Sequence, residues 1–151
     1  MKITAQEEYG LRCLLQLSRT PHGQVVRVKE IAVKEGLSNA YVEKLLRLLS
    51  HSGLVHSVRG VKGGYVLNRP ASSITLGEVV RALGTVQTTQ HLCHQFTGNQ
   101  RVCVHFSDCG IRSIWSGLTT YIQSFLDQTT LDSLLATEYV VSQRLTKRFT
   151  A

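Results

Sequence analysis

Apolar residues recur at helical spacing through the first fifty positions. They then fall into two short strand-like runs and return to helical spacing in the second half. Thr4-Ala5-Gln6-Glu7 has the form of a capping box, a hydroxyl at the N-cap and a carboxylate three residues on. It predicts a helix to about Leu17 with Leu11, Leu14 and Leu15 on one face. Thr20-Pro21-His22-Gly23 ends it. Val28, Ile31 and Ala32 mark a short second helix that Gly36 closes. Ser38 or Asn39 caps a third, whose stripe is Val42, Leu45, Leu46 and Leu49; Lys44, Arg47 and His51 fall off that stripe. Leu54–Val58 and Tyr65–Leu67 read as two strands joined by the Gly-rich basic loop Arg59-Gly60-Val61-Lys62-Gly63-Gly64.

A second capping box, Thr75-Leu76-Gly77-Glu78, opens a helix with Leu76, Val79, Val80 and Leu83 inward. Residues 85–110 show neither period. From about Gly110 a long helix carries Ile111, Ile114, Trp115, Leu118, Tyr121, Ile122 and Phe125 at helical spacing, and Thr130 starts a last helix toward residue 145. The fold class expected is mainly α with a small β-hairpin wing: a winged helix-turn-helix over 1–84, a cysteine-bearing loop over 85–110, and a dimerisation helix with a C-terminal helix over 111–151.

A chain of 151 residues that is 42% hydrophobic suits one compact domain or a small domain with a helical arm. Two prolines and 18% charged residues argue against disorder. No apolar run approaches the roughly 20 residues of a membrane span. Glu7 and Glu8 stand where a signal peptide needs its apolar stretch, so a cytoplasmic protein is expected. The formal charge of +7 is unevenly placed. Residues 1–69 hold eleven Lys/Arg against five Asp/Glu, and residues 70–151 hold six against five. A basic first half is either a solvated surface or a nucleic-acid-binding module.

The element order favours the second. In a winged helix-turn-helix the second helix of the turn pair offers its first residues to the major groove. Here those are Ser38, Asn39, Ala40, Tyr41, Glu43 and Lys44. Asn reads adenine and Glu accepts from cytosine N4. Lys44, Arg47 and Lys62 suit phosphate oxygens, and Arg59 at the wing suits a narrow minor groove. Two residues have competing roles: Tyr41 packing within the turn, and Glu43 pairing with Arg47 one turn on. The stripe that includes Trp115, Tyr121 and Phe125 needs a partner surface. A second copy of the same helix gives a two-fold homodimer that matches palindromic double-stranded DNA.

Cys13 lies within helix 1 and reads as a small buried hydrophobe. Cys93, Cys103 and Cys109 cluster in irregular chain, with nine and then five residues between them. Thiols grouped in a reducing compartment point to a soft metal. An iron–sulfur cluster is one reading. Zinc with His91, His94 or His105 is another, although a Cys-x-x-Cys knuckle is missing. A metal-free thiol sensor is a third. A small metal-dependent enzyme has the least support, because no nucleophile–base pair, paired carboxylates or phosphate-binding loop accompanies the cysteines.

The chain resembles the IscR/NsrR/RirA family of bacterial iron–sulfur transcription regulators over nearly its whole length. The matching stretches are Met1-Lys2-Ile3-Thr4 with Tyr9, Leu37-Ser38 with Tyr41-Val42-Glu43, Gly53-Leu54-Val55, Val58-Arg59-Gly60, Gly63-Gly64-Tyr65 and Ile74-Thr75-Leu76-Gly77-Glu78-Val79. Together they are specific, whereas none is so alone. The resemblance implies a homodimeric winged-helix repressor or activator with Cys93, Cys103 and Cys109 as cluster ligands. IscR-like members place a His ligand three residues after the last Cys. That position is Arg112, which stays protonated and cannot ligate. In NsrR-like members a helix 1 carboxylate of the other subunit completes the site, which implies Glu8 here. Three Cys and a carboxylate resemble the [4Fe–4S], nitric-oxide-responsive branch more than the His-ligated [2Fe–2S] branch. Two departures stand out: a longer gap between Cys93 and Cys103, and Ala40 in place of a hydroxyl residue.

Overall fold

The computed structural model describes residues 3–84 and 98–150. Both capping boxes form. The Thr4 hydroxyl accepts from the Glu7 N–H at 3.2 Å while the Glu7 carboxylate accepts from the Thr4 N–H at 2.7 Å, opening α1, Ala5–Ser18. α2, Val28–Glu35, ends at Gly36 in the left-handed conformation, φ 67°. Ser38, not Asn39, caps α3, Asn39–His51, by accepting from the Tyr41 N–H. β1, Val55–Val58, and β2, Gly64–Leu67, form an antiparallel hairpin with Val55 opposite Leu67 and Val58 opposite Gly64. A 3-10 turn, Ala71–Ser73, leads into α4, Leu76–Leu83, where Thr75 and Glu78 repeat the reciprocal cap. Then come α5, Gly110–Asp127, a 3-10 turn, Leu131–Leu135, and α6, Glu138–Thr150.

One core joins these elements. Val42, Leu45, Leu46 and Leu49 of α3 are fully buried, as their spacing predicts. They meet Leu14 and Leu17 of α1, Ile31 of α2, Leu54 and Val55 beside the wing, and Val79 and Leu83 of α4. The buried residues of α1 are Gly10, Cys13, Leu14, Gln16 and Leu17, with Leu11 and Leu15 at the margin. That is a rotation from the expected Leu11–Leu14–Leu15 face. Its cause is Gly10: a Cβ there would lie 2.3 Å from a Leu83 methyl, so α1 and α4 approach at a point only glycine allows.

Two features depart from the expected elements. Val26 forms an antiparallel bridge with Tyr65, adding a stub to the wing from the loop before α2. The single C-terminal helix is also replaced by two pieces. Leu131 is fully buried, and its N–H donates to the Ile74 carbonyl at 2.8 Å, while the Leu76 N–H donates to Thr129 at the same distance. These bonds staple residues 129–131 to the start of α4. The chain turns as a 3-10 segment, becomes extended at Ala136, and resumes as α6, whose first bond runs from the Val141 N–H to the Thr137 carbonyl. Among the described residues, no helix is long and apolar enough to cross a membrane.

Candidate nucleic-acid interface and thiol segment

Burial of one face of α3 fixes what its other face offers. Asn39, Ala40, Lys44 and Arg47 are exposed, and an open groove beside the helix is lined by Ala40, Glu43, Lys44, Arg47, Leu48 and His51. The Ser38 hydroxyl is occupied by the cap, which leaves it one donor for a phosphate or base. Glu43 accepts from Arg47 at 2.7 Å, so the acid and the base lie in the groove as one ion pair. The Tyr41 ring is half-buried and packs edge-on against Tyr9 of α1, with centroids 6.1 Å apart and planes at 78°. Arg12 lies over the Tyr9 ring at 5.7 Å.

His51, off the buried stripe as its spacing predicts, lines this face beside Lys44 and Arg47, and Val61 is an exposed residue at the wing tip that the sequence pattern does not single out. The His51 Nδ1 lies 2.7 Å from the Arg47 carbonyl, which can only accept, so Nδ1 carries the proton. Val61 is 100% exposed at the wing tip between Arg59 and Lys62, which are exposed too. The tip is closed by Gly63 donating to Gly60 at 2.8 Å, with Gly60 at φ 115°. A fully exposed valine between two cations is a signal the sequence does hold, in the form of an apolar residue inside a turn.

Three of the four cysteines lie among the described residues, all as free thiols. Burial pushes the Cys13 thiol up to about 12, with the charge of Glu35 adding to the effect, so it stays protonated and inert. Cys103 and Cys109 are half-buried. The Cys103 carbonyl accepts from the Phe106 N–H at 2.9 Å in a turn, and Cys109 occupies the N-cap position of α5. Cys93, His91 and His94 lie outside the described residues. His105 is exposed. Glu8 is exposed on α1 and accepts from Arg12 at 2.8 Å.

The donor chemistry fits a soft metal centre: two half-buried thiols six residues apart in sequence, a third Cys nearby in sequence, and an exposed carboxylate on α1. Among the described residues of one chain, no three His, Cys, Asp or Glu side chains gather into a metal-holding group. A three-ligand metal site would therefore need a donor beyond the described residues of one chain.

The described α1–α4 and hairpin define a winged helix-turn-helix, the architecture of a DNA-binding transcription regulator. The Rrf2 family, described as an iron-dependent transcriptional regulator, matches residues 3–137. Protein rrf2 of Nitratidesulfovibrio vulgaris is 33% identical over 135 residues, 89% of this chain and 87% of the relative. The HTH-type transcriptional regulator IscR of Escherichia coli is 32% identical over 142 residues, 93% and 84% of the two chains. Among solved structures, CymR of B. subtilis, described as the global cysteine regulator, has a TM-score of 0.71 at 31% identity, covering 89% of this chain and 96% of that one. T. potens IscR has a TM-score of 0.70 at 30% identity, covering 89% and 86%. The chain belongs to the Rrf2 family of transcriptional regulators. These relatives are regulators and not enzymes, so the small metal-dependent enzyme drops out.

Proposed function

We propose that the chain works as a homodimer on palindromic double-stranded DNA, with its operator affinity governed by an iron–sulfur cluster. The ligands are Cys93, Cys103 and Cys109, with Glu8 of the partner subunit as the fourth. In this reading Ser38, Asn39, Ala40, Tyr41 and Glu43 meet the major groove. Lys44, Arg47 and Lys62 hold phosphates, and Arg59 enters the minor groove.

The carrying observation is the junction at Cys109. Cys109, half-buried, occupies the N-cap position of α5, and the exposed apolar stripe of α5 begins two residues later. Ile111, Ile114, Trp115, Leu118 and Tyr121 are all large and exposed, and α5 has no buried residue of its own. A stripe of this size marks an association surface, for which a second α5 is the simplest cover. The segment holding the thiols is thus continuous with the segment that sets the distance between two DNA heads. A [4Fe–4S] cluster would supply sensitivity to nitric oxide, redox state or iron supply. The chain's own part is to tie residues 103–109 of one subunit to α1 of the other through Glu8, and so to hold the half-site spacing of about 34 Å.

A second reading has an observation of its own. Staphylococcus aureus CymR, described in an oxidized form, matches with a TM-score of 0.68 at 30% identity. In that reading Cys103 and Cys109 act as thiols without iron, or bind zinc. Anaerobic purification followed by metal analysis and an absorbance spectrum separates the two. The cluster reading expects a brown protein containing iron and sulfide, most of it lost in Cys103→Ala and destabilised in Glu8→Ala. A colourless, iron-free anaerobic protein would overturn it in favour of the thiol reading.

A further inference from the structure

We infer that Arg112 is the positioning residue of the thiol segment, clamping its backbone and directing a hydrogen-bond donor at an anionic, thiolate-bound metal centre. The clamp stands on geometry alone, whereas the role toward a metal centre rests on the cluster reading above.

Arg112 is the third residue of α5, where the helix dipole favours anions and disfavours a cation. Its side chain does not run out to solvent. It turns back over the preceding segment and donates to the carbonyls of Phe106 at 2.5 Å and His105 at 3.3 Å. The guanidinium also covers the Phe106 ring at 5.5 Å. One donor is left over: the Nε–H is buried and has no hydrogen-bond partner among the described residues. A guanidinium has five donors and no acceptor, and a buried N–H without a partner is costly.

Both anomalies have one resolution. Thiolates of Cys103 and Cys109 on a metal leave a centre of net negative charge beside the first turn of α5. An anion there satisfies the dipole, balances the guanidinium and accepts from Nε in a charge-assisted bond. Arg112 is not a ligand, since it stays protonated. It supplies shape to the segment from Cys103 to Cys109 and charge to what that segment holds.

The test uses the full chain, prepared anaerobically as wild type, Arg112→Ala and Arg112→Lys. Hydrogen–deuterium exchange of the metal-free protein reads the clamp. In Arg112→Ala the amides of Phe106 and Arg112, which donate to Cys103 and Cys109, exchange about tenfold faster, and Arg112→Lys does not restore them. Iron loss to EDTA from the loaded protein, followed by absorbance, reads the charge. Arg112→Ala loses iron about tenfold faster, the effect of one charge-assisted bond, and Arg112→Lys recovers part of it. Unchanged thermal unfolding of the variants certifies the fold. Wild-type exchange rates in Arg112→Ala would overturn the clamp. Normal loading with wild-type iron loss in Arg112→Ala would overturn the charge role and leave the cluster reading standing. A wild-type chain that takes up no iron would overturn the cluster reading, with the exchange data still deciding the clamp.

Discussion

The three described cysteines fall into two chemical classes, and burial separates them. Cys13 sits among Leu14, Leu17 and their neighbours, where a thiolate has no support. Cys103 and Cys109 sit half-exposed, one in a turn and the other at the start of α5. The division was legible because Cys13 falls inside a helical period and the others fall outside any. Tyr41 and Glu43 were less legible. Each had two roles at equal spacing: position along α3 does not say what α1 brings against Tyr41, nor whether Glu43 turns to Arg47 or outward. The Tyr9 ring and the Arg47 guanidinium fill the packing roles. Among the described residues, the wing charges Arg59 and Lys62 have no such internal partner. Arg59→Ala is therefore expected to weaken binding to an operator duplex several-fold, nearly independently of its sequence. It should also reduce the slope of log affinity against log salt by about one. Fluorescence anisotropy at several salt concentrations checks both, and an unchanged slope would count against a phosphate or minor-groove contact at Arg59.

At the level of elements, the signals that held were local. Each capping box is a three-residue pattern that fixes a helix start through two reciprocal bonds, and both formed where the sequence placed them. Thr75 also holds the Glu78 carboxyl below the usual carboxylate range through its backbone N–H, with Arg69 assisting at 2.8 Å. The misread elements were decided by distant partners. The last helix breaks because Leu131 is claimed by Ile74, more than fifty residues earlier, and α1 is rotated because Leu83 abuts Gly10. Neither partner is visible in a window of neighbouring residues. The α1–α4 contact carries a direct expectation. Gly10→Ala gains helix propensity of about 0.5–1 kcal/mol but drives a methyl into a Leu83 side chain that is itself buried, costing about 1–3 kcal/mol. The net loss, about 1 kcal/mol, should appear as a lower urea midpoint with an unchanged slope. A midpoint at or above that of the wild type would show that Leu83 gives way freely.

For the whole molecule, the charge and the apolar surface lie in different halves. The basic half presents α3 and the wing, and the nearly neutral half presents the α5 stripe. If that stripe joins two copies, Ile114→Glu, at a position 71% exposed in one chain, should convert dimer to monomer at micromolar concentration with helix content unchanged. Light scattering coupled to gel filtration reads the mass. A wild-type protein that is monomeric under those conditions would overturn the dimer.

The staple between residues 129–131 and the start of α4 has a mechanical meaning. Together with the Arg81–Asp127 ion pair at 2.8 Å, it welds the C-terminal end of α5 to the DNA head. The other end of α5 is the thiol end. Eighteen residues span about 27 Å, so α5 is a lever pivoting on the head with its free end at Cys109. A tilt of about 5° at the welded end moves the far end by about 2 Å, and the converse also holds. If Cys109 ligates a cluster as proposed, a displacement on the scale of a change of ligation there would return to the head as an angle. In the proposed dimer such an angle would change the separation of the two recognition helices, which half-site spacing fixes.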